Sequence, residues 1–256
     1  MAADIVCTNV SFSYQKNREV LRDICLSVEH GESVGLIGAN GVGKSTFLKL
    51  IVGLLTGYEG EISVQGQPVI KKNLTDIRKK VGYVFQDSDS QLFMSTVYED
   101  VAFGPRNYGC PEEETEQRVM DALQKVRIEG LKDRQIYRMS GGEKKLASIA
   151  TILSMKPEVI LLDEPSIALD PRNRKNLIGI LNEMKETKVI ASHDLDMILD
   201  TCGRTVLLAD GQIIRQGSTE EILQDQTLLE TYGLELPLRM QGNIKGGQKA
   251  VVKCLV

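Results

Sequence analysis

The chain has 256 residues, a formal net charge of −4 at pH 7 and 42% hydrophobic residues, values that fit one large globular unit with a sizeable core and argue against a generic basic nucleic-acid binder. No apolar run reaches the ~18 residues of a membrane-spanning helix, and the N-terminus lacks the pattern of a secretory signal. Five scattered cysteines without C-x-x-C spacing argue against a disulfide framework or a zinc site and favour a reducing cytosol.

Short apolar runs alternate with helical patterns along the chain. Nine runs are predicted to be strands: 5–10, 24–28, 33–37, 61–64, 81–85, 159–162, 188–191, 205–209 and 212–215. Helical periodicity is predicted over 46–52, 112–126, 142–154 and 172–185. The Asp210-Gly211 pair between two apolar runs predicts a tight hairpin turn. Residues 87–154 show no convincing strand, which indicates a helical insert in an α/β core.

A phosphate-binding motif follows the third predicted strand. The segment from Gly38 to Ser45 fits G-x-x-x-x-G-K-[ST] in full, and a helical pattern comes next. Glycines let several N–H groups point into one anion cavity, and the positive end of the helix faces the same way. The alternative is a glycine-rich turn that binds nothing, but the full context favours a triphosphate nucleotide. The predicted nucleotide-binding residues of this loop are Gly38, Asn40, Gly41, Gly43, Lys44, Ser45 and Thr46.

Two carboxylates end the apolar run at 159–162. Asp163 is the residue type that holds Mg²⁺ in phosphate-loop sites, and Glu164 is a candidate general base that polarises an attacking water. Acids also end buried strands merely because they reach solvent. Together with the phosphate loop, the functional interpretation is the stronger one.

A second glycine-rich helix start lies at Ser140-Gly141-Gly142-Glu143. Ser140 and Glu143 form a capping box, a common purely structural device. Two glycines in a first turn nevertheless weaken a helix by roughly 1 kcal/mol each, and they permit close backbone approach to a ligand. This start could serve a nucleotide held by a partner chain, which would make the active unit a dimer with ATP at the seam.

One of the two histidines follows a predicted strand. His193 comes after the run 188–191, so in an open sheet it would face the ligand crevice and could donate a hydrogen bond to the γ-phosphate. A surface histidine satisfied within its turn is the equally weighted alternative.

Six elements in this order resemble the nucleotide-binding subunit of an ATP-binding-cassette (ABC) transporter, over residues 4–236. They are the phosphate loop, Gln86, Ser140-Gly141-Gly142, Asp163-Glu164, Asp170 and His193. The resemblance implies an α/β fold with a P-loop (RecA-like) parallel-sheet core, an N-terminal antiparallel β subdomain and an inserted helical subdomain. It implies an ATP-binding core at 1–87 and 155–230, a helical subdomain at 88–154 and a short tail at 231–256.

The same resemblance assigns roles. Gln86 would touch Mg²⁺ and the attacking water, Ser140, Gly141 and Gly142 would contact the γ-phosphate bound by the opposite subunit, and Asp170 would cross the dimer seam. The implied catalytic residues are Glu164, His193, Lys44 and Gln86, and the implied metal ligands are Ser45, Gln86 and Asp163.

The resemblance also places Tyr14 against the adenine. The residues themselves leave core packing open as an alternative, because Val10, Phe12 and Tyr14 alternate onto one face of a strand.

Residues 84–105 and the Ser-Gly-Gly-Glu-Lys-Lys run at 140–145 are similar to the energy-coupling-factor (ECF) ATPases, which power uptake of cobalt, nickel or vitamins. This implies a homodimer or a heterodimer with a related ATPase, integral-membrane partner subunits docking on 87–103, no nucleic acid partner, and a cytoplasmic position on the inner face of the cell membrane. The ECF pattern normally continues beyond residues 234–237, which leaves any dimer contact of that extension open.

Three other functions fit these motifs less well. A DNA-repair or chromosome ATPase would separate Lys44 from Ser140 by a long coiled coil, and no heptads occur there. A translation ATPase would carry two cassettes. A non-hydrolysing module would not need Lys44, Asp163 and Glu164 together.

Overall fold

Ten strands form two β-sheets in residues 3–15 and 18–241, the part of the chain that the computed structural model describes. In chain order they are β1 (Ala3–Gln15), β2 (Arg18–Glu29), β3 (Ser33–Ile37), β4 (Glu59–Val64), β5 (Gln67–Pro68), β6 (Val81–Val84), β7 (Val159–Asp163), β8 (Thr187–Ala191), β9 (Arg204–Ala209) and β10 (Gln212–Ser218). The first sheet has the order β2-β1-β4-β5 and is antiparallel. The second has the order β10-β9-β3-β8-β7-β6 and is parallel except for β9–β10.

All nine predicted strands are present, and the α/β class with a parallel core and an N-terminal antiparallel sheet is confirmed. The two-residue β5 is too short for a periodic pattern. Asp210 and Gly211 both have positive φ, 48° and 74°, and connect β9 to β10 as the predicted tight turn.

Ten α-helices occur in the described residues: α1 (Lys44–Ile51), α2 (Leu74–Lys80), α3 (Val97–Asn107), α4 (Glu112–Lys125), α5 (Gly141–Leu153), α6 (Pro171–Glu183), α7 (Leu195–Thr201), α8 (Thr219–Gln224), α9 (Gln226–Thr231) and α10 (Leu238–Gln241). The four predicted helices correspond to α1, α4, α5 and α6. The helix α3 was not predicted because Pro105 interrupts its pattern, and the other five have seven residues or fewer, too short to show two turns of periodicity.

The stretch between β6 and β7 contributes no strand to either sheet within the described residues, and it holds α3, α4 and α5. These helices pack through buried apolar side chains such as Val101, Leu123 and Leu146. A capping box between Thr96 and Glu99 fixes the start of α3. The predicted tail falls partly on α9 and α10, and its remainder, 242–256, lies outside the described residues.

The parallel pairing of β3, β8 and β7 brings three chain segments to one edge of the sheet. Leu36 pairs with Ala191, and Ala191 pairs with Asp163, so the residues following each strand emerge side by side. Strands β7 and β8 are buried along their whole length. The sheet therefore places the phosphate loop, Glu164 and His193 next to one another.

The connection after β8 is anchored by a charged pair. Asp194 caps α7 through the backbone N–H of Met197 and accepts two hydrogen bonds from Arg174 of α6, at 2.5 and 2.6 Å. Burial opposes ionisation of Asp194, but the hydrogen bonds from Arg174 and Met197 outweigh it, so the pKa of Asp194 lies below its usual range. This pair holds His193, the preceding residue, in place.

We predict that Asp194→Asn lowers the free energy of unfolding by about 1.5–3 kcal/mol at pH 7, because hydrogen bonds to a charged group are lost. A carboxyl with a depressed pKa stabilises the fold above its unfolded-state value and loses that contribution as the pH falls through the folded-state value. The difference from wild type, measured by urea unfolding, should therefore narrow below about pH 4. The exposed control Asp133→Asn should leave the free energy of unfolding at pH 7 close to that of wild type. A difference between Asp194→Asn and wild type that stays constant at all pH values would contradict the prediction.

Candidate active site

The phosphate loop between β3 and α1 has a backbone that only glycine adopts comfortably. Gly38, Gly41 and Gly43 have φ values of 154°, 83° and 111°. A Cβ on Gly38 would lie 2.2 Å from the carbonyl oxygen of Leu208, whereas a Cβ on Gly41 would meet nothing within 4 Å. The glycine at 38 is therefore required by close backbone approach as well as by φ.

Lys44 lies across the loop that precedes it. Its Nζ donates to the carbonyl oxygens of Gly38 at 2.7 Å and Ala39 at 3.2 Å, and it lies 3.5 Å from Oε1 of Glu164. The side chain is almost fully buried. A positive charge is thus held between the phosphate loop and the carboxylate at the end of β7, where a bound phosphate could exchange for the carbonyl contacts.

Both carboxylate oxygens of Asp163 accept hydrogen bonds from hydroxyl groups. Ser45 Oγ donates to Oδ1 at 2.8 Å, and Tyr83 Oη donates to Oδ2 at 2.9 Å. Burial, reinforced by the charge of Asp163, raises the pKa of Tyr83 well above its usual range, so Tyr83 stays a donor. Sequence reasoning missed Tyr83, because a tyrosine inside an apolar strand carries no signal of its partner.

Glu164 has a left-handed backbone and a nearly buried carboxylate. Its φ is 47°, a conformation that is strained for a non-glycine residue and that often marks functional sites. Oε2 contacts Nδ1 of His193 at 2.8 Å and accepts from Ser192 Oγ and the His193 backbone N–H, each at 3.2 Å. The imidazole is 49% exposed. The structure therefore pairs two of the four predicted catalytic residues, Glu164 and His193, while the predicted contact of His193 with a phosphate stays a prediction.

A cleft of about 880 Å³ opens along the phosphate loop. Tyr14 lies in its wall, is 58% exposed, and its Oη is 3.1 Å from Oγ1 of Thr46. Val10 and Phe12 are buried on the same strand. The Tyr14 ring packs edge-to-face on Phe12, with 5.0 Å between the ring centroids, so the packing alternative accounts for one side of the ring. The exposed part of the ring faces the cleft, and its contact with adenine stays a prediction. The predicted residues that line this cleft are Tyr14, Asn40, Gly41, Gly43, Lys44, Ser45, Thr46, Gln86 and Glu164.

The second glycine-rich helix start lies outside the lining of that cleft. Ser140 caps α5, and its Oγ and backbone N–H form the predicted capping box with Glu143. A Cβ on Gly142 would lie 2.7 Å from Nδ2 of Asn173, so a larger residue here would displace the tip of that side chain. A Cβ on Gly141 would meet its first neighbour, Cβ of Ala168, at 3.7 Å, which is an ordinary contact. The role of Ser140, Gly141 and Gly142 toward a partner's nucleotide stays a prediction.

Asp170, the residue predicted to lie at a dimer seam, is exposed and also lies outside the cleft lining. Its side chain accepts a hydrogen bond from the backbone N–H of Asn173 at 2.8 Å and caps α6. Asp170 and Ser140 thus begin two helices whose first turns approach each other at Asn173 and Gly142.

A phosphate loop between a parallel strand and a helix, facing carboxylates at the end of a neighbouring strand, defines a P-loop nucleotide-binding ATPase. The ABC transporter family model matches residues 21–167. The chain belongs to this family, and it is an ATP-binding cassette, the ATP-hydrolysing module of such transporters.

Similar proteins cover nearly the whole chain. A Geobacter sulfurreducens protein named as an ABC transporter ATP-binding protein is 48% identical over 90% of this chain and 92% of its own length. The energy-coupling factor transporter ATP-binding protein EcfA of Methanothermobacter thermautotrophicus is 44% identical over 90% of this chain and 75% of its own. The structure of cbiO1 from Clostridium perfringens, part of the ABC transporter complex cbiONQ, superimposes with a TM-score of 0.81, 33% identity, and 90% and 94% coverage of the two chains.

Across the described residues, every helix is too short or too polar to traverse a lipid bilayer.

We predict that Gly38→Ala is more damaging than Gly41→Ala, although both glycines have positive φ. The change at 41 should cost about 1–2 kcal/mol of unfolding free energy, from backbone conformation alone. The change at 38 should cost more and weaken nucleotide affinity, because the backbone of Leu208 must move. Denaturant unfolding and nucleotide titration would check this; equal effects at both positions would contradict it.

Proposed function

We propose that the chain is the ATP-hydrolysing subunit of an energy-coupling-factor importer. Two copies, or one copy and a related ATPase, enclose two MgATP and drive uptake of a metal ion or vitamin through integral-membrane partner subunits. The observation that carries the hydrolytic part is the position of Glu164, whose carboxylate lies between Lys44 and His193 in the phosphate cleft. The names of the similar proteins EcfA and cbiO1 support the importer class.

Hydrolysis needs an activated water and neutralisation of developing phosphate charge. Glu164 is the proposed base, and its contact with His193 holds the carboxylate in one orientation. Lys44 and the amides of the phosphate loop would stabilise the transition-state charge, and Gln86, in the wall of the same cleft, would orient the water. Tyr14 would stack on the adenine.

The residues present fit Mg²⁺. Ser45 and Asp163 lie 2.8 Å apart and offer oxygen atoms, the ligands this ion prefers. No group of three or more His, Cys, Asp or Glu in the described ranges could hold a metal by itself, and Mg²⁺ in nucleotide sites is held by few protein ligands together with phosphates. When bound, the ion screens phosphate charge, with Ser45, Asp163 and Gln86 as its proposed protein ligands.

The proposed dimer joins each phosphate cleft to the second helix start of the other chain. Ser140, Gly141, Gly142 and Asp170 lie outside the chain's own cleft lining, as expected for residues that serve a nucleotide on a partner. A similar ATP-binding cassette, 27% identical with a TM-score of 0.77, is described as dimeric and bound to ADP and Pi.

The proposed membrane-facing surface is segment 87–103 of the helical subdomain 88–154, with 1–87 and 155–230 as the ATP-binding core and 231–256 as a tail. Phe93 is 64% exposed, and its ring packs edge-to-face on the half-exposed ring of Phe103 at 4.9 Å. Exposed paired aromatics suit burial against a partner helix. Such a subunit would lie on the cytoplasmic face of the cell membrane.

Glu164→Gln is expected to retain ATP binding and lower ATP turnover by about 100-fold or more, because the amide keeps the shape of the carboxylate but cannot take a proton. Phosphate release and equilibrium nucleotide binding measure the two effects. The exposed control Glu183→Gln should behave as wild type. Undiminished turnover in Glu164→Gln would falsify the base assignment.

A photo-crosslinking residue in place of Phe93 should capture an integral-membrane protein in native membranes. The same residue in place of Ile70, which is also exposed but lies before α2, should not. Gel electrophoresis and mass spectrometry would identify the captured chain and thereby the importer class. Capture from position 70 alone would contradict the docking surface.

A further inference from the structure

Besides Lys44 in the phosphate loop, two lysines of the described residues are nearly fully buried and donate to backbone carbonyl oxygens. Lys188, 4% exposed, donates to Met184 O at 2.8 Å and Glu186 O at 3.1 Å, just beyond the end of α6. Lys145, 2% exposed, donates to Phe85 O at 2.9 Å and Gln86 O at 2.7 Å. Lys188 satisfies carbonyl oxygens beside the end of α6. Lys145 instead reaches the loop containing Gln86, which forms a wall of the nucleotide cleft.

An ammonium at position 145 is costly to bury, whereas an apolar side chain of similar length would fill the same space without losing hydration. Burial lowers the pKa of Lys145 to about 8, against the opposing attraction of Asp163 and Asp87. The two direct partners of the Lys145 ammonium are carbonyl oxygens next to the cleft. Packing alone does not explain a cation here.

Residues 85–91, called here the Gln86 loop, are tied to α5 by further side chains. Lys144 Nζ lies 2.6 Å from Asp89 Oδ1. Gln91 donates from Nε2 to Ser148 O at 2.7 Å and to Thr151 Oγ1 at 2.8 Å, while its Oε1 accepts from the backbone N–H of Phe85 at 3.0 Å. Both ends of the loop are therefore held to α5, and Lys145 is the buried contact at the end that carries Gln86.

We propose that Lys145 is a positioning residue that locks the Gln86 loop to α5, so that Gln86 and the helix start at Ser140 move as one body. This rests on the proposed dimer, in which α5 meets the nucleotide of the partner. Movement of α5 on closure is then transmitted to Gln86 in the chain's own cleft. Lys145 couples the two nucleotide sites without touching either nucleotide.

Lys145→Met and Lys188→Met form a matched pair, because each removes one buried ammonium that binds two carbonyls. In Lys145→Met, amide hydrogen exchange within 85–91 should accelerate by about tenfold or more without nucleotide. The kcat for ATP should fall by about tenfold while KM changes less than about threefold. Lys188→Met should lower the melting temperature but leave loop exchange and kcat within about twofold of wild type.

Amide hydrogen exchange tests the role of Lys145, whereas ATP turnover also tests the proposed function, so failure of one can be distinguished from failure of the other. A wild-type chain that binds ATP but does not hydrolyse it would contradict the proposed function. The comparison of amide hydrogen exchange between Lys145→Met and wild type would still show whether Lys145 holds the Gln86 loop. Unchanged exchange in Lys145→Met, faster exchange with normal kcat, or the same losses in Lys188→Met would each overturn the positioning role.

Discussion

The parallel pairing of β3, β8 and β7 is the constraint on which the site depends. A parallel ladder aligns the carboxyl ends of its strands, so three segments far apart in sequence emerge at one edge. That alignment brings Lys44 within 3.5 Å of Glu164, and Glu164 within 2.8 Å of His193. A shift of one residue in this register would turn the strand-end side chains to the other face and separate them.

The charged side chains at this edge of the sheet each have hydrogen-bond partners within the chain. Asp163 is held by two hydroxyl donors, Glu164 by histidine and serine, and Lys44 by carbonyls of its own loop. Each partner is one that an incoming phosphate or metal ion can replace or reinforce. The site is therefore organised by contacts within one chain, whereas the second helix start faces elsewhere.

Much of this was predictable from sequence, because the informative features are local. Three features can be recognised from residues that are close together in the sequence: the phosphate loop, the acidic end of β7 and the capping box at Ser140. Contacts between segments that are far apart in the sequence produce no local pattern. The sequence therefore does not predict the contacts of Tyr83 with Asp163, of Lys145 with the Gln86 loop, or of Asn173 with Gly142. The short helices were missed because their packing, rather than their periodicity, holds them.

The contact between Gly142 and Asn173 has a consequence for association. The Asn173 side chain fills the space beside Gly142, and Ser140 and Asp170 each cap their own helix, so both side chains are already ordered within the chain. A partner chain that binds these side chains has little left to order, and the entropic penalty of recognition is correspondingly small.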